Sequence, residues 1–167
     1  MIFQTEVAEC GLACIAMVAG YHGHRANLPN LRESLGLPAA GASVRQLIQA
    51  GSALGLQGRP LKLELSELAC LTLPAVLHWD ADHFVVLNRV SRRSFEIHDP
   101  AAGIRRYSLE ELDFHFTGIA IEFSPTTSFV RRREEKSYSI RQLFALTPRF
   151  RLAIYQVFCL SLILQLL

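Results

Sequence analysis

This chain has few cysteines, one tryptophan and almost no net charge. Cys10, Cys14, Cys70 and Cys159 are too sparse and irregular for a disulfide framework, and no signal segment opens the sequence. A reducing compartment is therefore expected, in which thiols stay free. The net charge of +2 gives no ground for nucleic acid as a partner. Internal repeats, a Gly-rich phosphate loop, a metal-ligand motif and a serine nucleophile elbow are all lacking, so P-loop, zinc-site and serine-hydrolase readings fall away. A full-length apolar run is lacking too. Residues 152–167 are uncharged and mostly apolar but fall short of the ~20 residues that cross a bilayer.

What is present suits one well-buried domain with an appendage, in 167 residues. Helical patterns come first. Residues 10–19 carry small and apolar side chains at helical spacing up to Gly20, and residues 28–35 form a short helix stopped by Gly36. Ser43 and Gln46 make a capping box for a helix to Leu54, closed by Gly55. Short strands follow at 75–79, 83–90 and 94–98. A second capping box, Ser108 with Glu111, opens a helix near 110–116, and 119–123 reads as a last strand. Helices followed by an antiparallel sheet predict an α+β fold with one segregated helical layer.

Residues 1–124 are thus the expected domain. Residues 125–148, rich in Pro, Thr, Ser and charge, read as a linker with an amphipathic helix near 139–146. Residues 149–167 read as the start of a membrane span that breaks off. Arg149 and Arg151 precede the apolar run, and the positive-inside bias puts the first domain in the cytoplasm. The N-terminus also reads as cut, because Gln4 stands so near it.

Candidate chemistry begins at Cys10. It directly precedes the first helical run, and a helix N-terminus favours thiolate over thiol. Gly11 leaves the backbone approachable, and Gln4 carries an amide able to donate to an oxyanion. His83 follows the turn Asp80–Asp82 and opens an apolar strand; Asp99 lies in a turn with Pro100 and Gly103. Cys, His and Asp with Gln in reserve are the parts of a cysteine peptidase. Asp99 reads equally as an aspartate capping its own turn, and Asp80 and Asp82 compete with it as partners for His83. His98 is a rival base, but on a strand it points away from Asp99. His22, His24, His78 and His115 need only surface or satisfied-core roles. Cys14, one turn after Cys10, and Cys70 are expected in the core. A redox or metal pair of Cys10 and Cys14 would need a second ligand pair or a different spacing. Glu6 and Glu9 would oppose ionisation of the thiol.

In this order these residues resemble the N-terminal cysteine peptidase domain of bacteriocin-processing ABC exporters, the double-glycine leader peptidases of colicin V secretion type. The resemblance covers about residues 3–124. It rests on Gln4, Thr5, Glu6, Glu9, Cys10, Gly11 and Cys14, on Leu77, His78, Trp79, His83 and Phe84, and on His98, Asp99, Pro100 and Gly103. It implies a papain-like α+β fold, with Cys10 as nucleophile, His83 as general base and acid, Asp99 as its orienter and Gln4 in the oxyanion hole. It also implies cleavage of precursor leaders after Gly-Gly, coupled to export, with Trp79 expected to wall the substrate passage. No cofactor is implied for this chain, since ATP would bind a nucleotide-binding domain elsewhere in the exporter. The implied partners are the leader peptide, the membrane and the rest of a homodimeric exporter in the bacterial inner membrane. A peptidase-like domain that only recruits the export substrate is the alternative.

Overall fold

The computed structural model describes residues 1–25, 28–35, 41–92, 94–131, 155–158, 161–163 and 165. The chain divides into two units, Met1–Glu134 and Glu135–Leu167. In the first, a 3₁₀ turn at Val7–Glu9 leads into helix α1, Cys10–Tyr21. Helices α2 (Leu28–Leu35) and α3 (Val44–Ala53) follow. Six strands then build one antiparallel sheet: β1 (Leu56–Lys62), β2 (Ala75–Trp79), β3 (His83–Val90), β4 (Phe95–Asp99), β5 (Gly103–Tyr107) and β6 (Phe116–Pro125). A 3₁₀ segment, Leu65–Cys70, joins β1 to β2, and helix α4, Leu109–Asp113, joins β5 to β6. The sheet order is β1-β6-β2-β3-β4-β5.

The strands alternate their side chains between two cores, as a period of two requires. Val76, Phe84, Val86, Ile121 and Phe123 pack with Cys14, Ile15 and Val18 of α1 and Leu47 of α3. Leu77, Trp79, Val85, Leu87, Ile97 and Ala120 pack on the other face with Leu68, Leu71 and Leu112. The expected single helical layer is thus only partly right. Short segments cover the second face, because β2 and β3 are apolar on both sides. The α+β class stands. Both capping boxes form, with Ser43 accepting from the Gln46 amide and Ser108 from the Glu111 amide.

Two strands escape the sequence reading. β1 contains Gly58 and Pro60, which suggest a loop, but it is an edge strand paired with β6 and has room for a proline. β5 is the opposite edge and carries exposed Arg105 and Arg106, so it shows no apolar alternation. Boundaries move as well. Helix α1 continues through Gly20, α4 stops at Asp113 rather than running on to Phe116, and β6 extends three residues before and two after the expected strand.

The first residues of the expected linker are packed. Thr126 bonds through its amide and hydroxyl to the Gly55 carbonyl, Phe129 joins the α1–α3 core, and His24 Nδ1 donates to the Val130 carbonyl at 2.8 Å. Gly55 turns at φ +78°, and a Cβ there would stand 2.8 Å from the Phe129 backbone. In the second unit, residues 155–158 and 161–163 are helical. No helix among the described residues is long and apolar enough to cross a membrane. The amphipathic helix near 139–146 and most of the expected span over 149–167 lie outside the described residues.

Candidate active site

Cys10 is the first residue of α1 and is 4% exposed. The helix is held against α3 by a close approach at Gly11, where a Cβ would come within 2.6 Å of Leu47 Cδ2. Leu47 is fully buried, so glycine is needed there for helix packing rather than for access to the backbone. Antiparallel pairing sets Val86 opposite His98, so the start of β3 and the end of β4 meet at one rim of the sheet. His83 and Asp99 lie diagonally across that pair, and His83 Nε2 stands 2.8 Å from Asp99 Oδ1. This leaves Nδ1 for Cys10. The hydrogen bond to Cys10 pushes the His83 imidazole up to about 9 against the opposing effect of burial, with Asp99 adding to the rise. His83 is therefore held between Cys10 and Asp99.

Asp99 makes both of the contacts open to it. Its Oδ1 accepts from His83 and also from the Ala101 amide at 2.8 Å, closing its own turn. That turn ends at Gly103, where φ is +89° and most residues would be strained. Asp80 is occupied elsewhere, by His115 Nδ1 at 2.8 Å, and is no competitor. His98 contacts Glu96 at 3.4 Å and lines a cavity of about 470 Å³ with Met17, Tyr21, Val86 and Asn88. It stands apart from Asp99, as the strand period requires.

Gln4 is tied to the same rim, its backbone N–H donating to the Pro100 carbonyl at 3.1 Å. Its Oε1 is buried without a hydrogen-bond partner. Such a group costs about 1–3 kcal/mol, so the resting fold leaves this side-chain oxygen unsatisfied. Trp79 is paired directly across β2–β3 with His83 but is 3% exposed, stacked on His115 at 4.9 Å and edge-on to Tyr107 at 5.3 Å. It supports the hairpin that carries His83 and has almost no free surface to wall a passage. Cys14 is fully buried, and burial pushes its thiol well up. Cys70 is exposed and not in the core, because its 3₁₀ segment buries Leu68 instead. No cluster of three metal-ligating side chains occurs among the described residues.

Arg32 is the site residue that the sequence reading missed. It forks onto Glu9, the residue before Cys10, through Nε and a terminal nitrogen, and lies 3.7 Å from Glu6. The Glu9 carboxylate also accepts from the amides of Thr5 and Glu6 at 2.9 and 3.0 Å. Burial alone would raise the Glu9 carboxyl, but these bonds hold it below the usual range. An Arg on a short amphipathic helix gives no sign in sequence of which carboxylate it will meet.

The family model for the peptidase C39 family matches residues 1–128. Two Escherichia coli proteins are each 41% identical over 165 residues, 99% of this chain: a probable microcin-H47 secretion/processing ATP-binding protein, MchF, and the colicin V secretion/processing ATP-binding protein CvaB. This chain spans only 24% of the length of either. Among solved structures, a double glycine motif protease from an AMS/PCAT transporter, in complex with the leader peptide, is 35% identical with a TM-score of 0.71, covering 75% of this chain and 91% of that one. The peptidase domain of Streptococcus ComA, a bi-functional ABC transporter, is 26% identical with a TM-score of 0.68, covering 75% of this chain and 97% of that one.

Proposed function

Because this chain belongs to the peptidase C39 family, a family of cysteine peptidases, we propose that it removes the leaders of double-glycine precursor peptides by a Cys10 thiolate. The observation that supports this most is the His83–Asp99 bond at 2.8 Å beside Cys10 at a helix start. In this reading the Cys10 thiolate attacks the carbonyl carbon of the second leader glycine. The oxyanion takes hydrogen bonds from Gln4 Nε2 and the Cys10 amide; losing one such donor typically costs ~10²–10³ in turnover. His83 protonates the departing amine and leaves a thioester. His83 then takes a proton from water, which cleaves the thioester, releases the leader acid and restores the thiol. Asp99 keeps the imidazole oriented throughout. Trp79 supports the hairpin through its packing on His115 and Tyr107.

The hydrolysis needs no cofactor. ATP would be bound by a nucleotide-binding domain of an exporter of which this chain is the N-terminal part, with a first span starting in 149–167. The similar E. coli proteins, whose names join secretion to processing and ATP binding, support the exporter; its place in the bacterial inner membrane, with the peptidase domain in the cytoplasm and the exporter dimeric, is part of the proposal.

The test is cleavage of a synthetic peptide with a double-glycine leader, followed by mass spectrometry, beside Cys10→Ala. A cut after the second glycine that vanishes in the variant is expected. A peptide that binds but stays intact would instead make the chain a docking domain for the export substrate.

A further inference from the structure

We propose that Arg32 is a positioning residue for the chemistry at Cys10. Its ion pair with Glu9 fixes the stretch of chain joining Gln4 to Cys10 and removes a carboxylate charge beside the thiol. The proposal rests on the reading of Cys10 as nucleophile.

The stretch from Gln4 to Cys10 is pinned at both ends. Gln4 is bonded to the Pro100 carbonyl, next to Asp99. At the other end, one buried carboxylate gathers the amides of Thr5 and Glu6 and the fork of Arg32. Leu28 and Leu31 of α2 are buried against Leu12, Ala13 and Ala16 of α1, so the helix bearing Arg32 is anchored to the helix bearing Cys10. A one-residue slip in this loop would move the Gln4 amide relative to the sulfur, and such misplacement is costly to catalysis.

The second role is electrostatic. Glu9 holds the N-cap position of α1, directly before Cys10, although its carboxylate bonds backward to Thr5 and Glu6; a negative charge there opposes a thiolate at the same helix end. His83 from the sheet bonds Cys10 and is itself bonded to Asp99, Cys14 lies one turn along α1, and Glu9 precedes Cys10 in the chain, paired with Glu6 around Arg32 of α2. Arg32 is the cation that offsets Glu9 and Glu6; His83 is left to pair with Cys10 and Asp99.

The test compares the 167-residue chain with Arg32→Ala, Arg32→Lys and the double variant Glu9→Gln, Arg32→Ala. Two readouts are taken: iodoacetamide alkylation of Cys10 at neutral pH, localised by mass spectrometry, and kcat and KM on a double-glycine peptide. Arg32→Ala should slow alkylation about tenfold, the effect of an unbalanced neighbouring charge. It should lower kcat at least as much, with KM changed less than about twofold. Arg32→Lys should restore alkylation, and so should the double variant, which has no carboxylate left to balance. Wild-type alkylation in Arg32→Ala would overturn the proposal, as would a double variant as slow as the single one. If Arg32→Ala does not fold, a folded, fast double variant supports the proposal; a slow or unfolded one overturns it. A wild-type chain that alkylates normally yet cuts no double-glycine peptide would sink the proposed function and leave the alkylation comparison standing.

Discussion

At the scale of single residues, His83 carries the clearest pH signature. Its imidazole is pushed up to about 9, above the ~6.5 of a free histidine. Charged His83 therefore stabilises the fold fully below about pH 6.5, and that contribution is lost as pH rises through about 9. Thermal melts of wild type and His83→Ala should converge across that window; a gap independent of pH would show that His83 stabilises by packing alone. The same proton should set an alkaline limb of kcat/KM near pH 9. Asp99→Ala should lower kcat roughly 10²-fold, whereas Asp99→Asn should lose less, since an amide oxygen can still accept from both His83 and Ala101. Equal kinetics for the two variants would remove Asp99 from any orienting role. Which residue types to examine was legible in the sequence. That His83 takes Asp99 and not Asp80 was not, because both carboxylates lie within reach in the linear chain and only the sheet register separates them.

Elements of secondary structure obeyed local rules where packing agreed with them. Ser43 was readable as a cap, since its partner Gln46 is three residues away, and Ser43→Ala should cost ~1 kcal/mol in chemical denaturation. Gly11 was readable as a glycine near the thiol but not as the contact point of α1 and α3. Gly11→Ala should force the buried Leu47 to move and destabilise by about 1–3 kcal/mol. An unchanged midpoint would mean that Leu47 has room to yield. β1 and β5 were illegible for one reason: edge strands tolerate proline, glycine and arginine because half their hydrogen bonds and one flank face solvent.

For the whole first unit, the instructive boundary is at its end. Residues 126–131 look like linker in composition, yet Phe129 packs on the α1–α3 core and Thr126 ties back to Gly55. A chain stopped at residue 125 should be less stable than one stopped at 131 by about 1–3 kcal/mol, the value of burying one large apolar side chain. Matching denaturation curves would show that the segment adds nothing. The sequence by itself determined the α+β class, helices α1 to α3, strands β2 to β4, and the residues able to do thiol chemistry. All of these rest on periodicity, caps and turn residues, which act between near neighbours along the chain. Only the tertiary structure decided that His83 faces Asp99, that Arg32 holds Glu9, that Trp79 is buried against His115 and that two more strands close the sheet edges. Those partnerships span long stretches of chain, and they are set by strand register and shared burial, which no local pattern encodes.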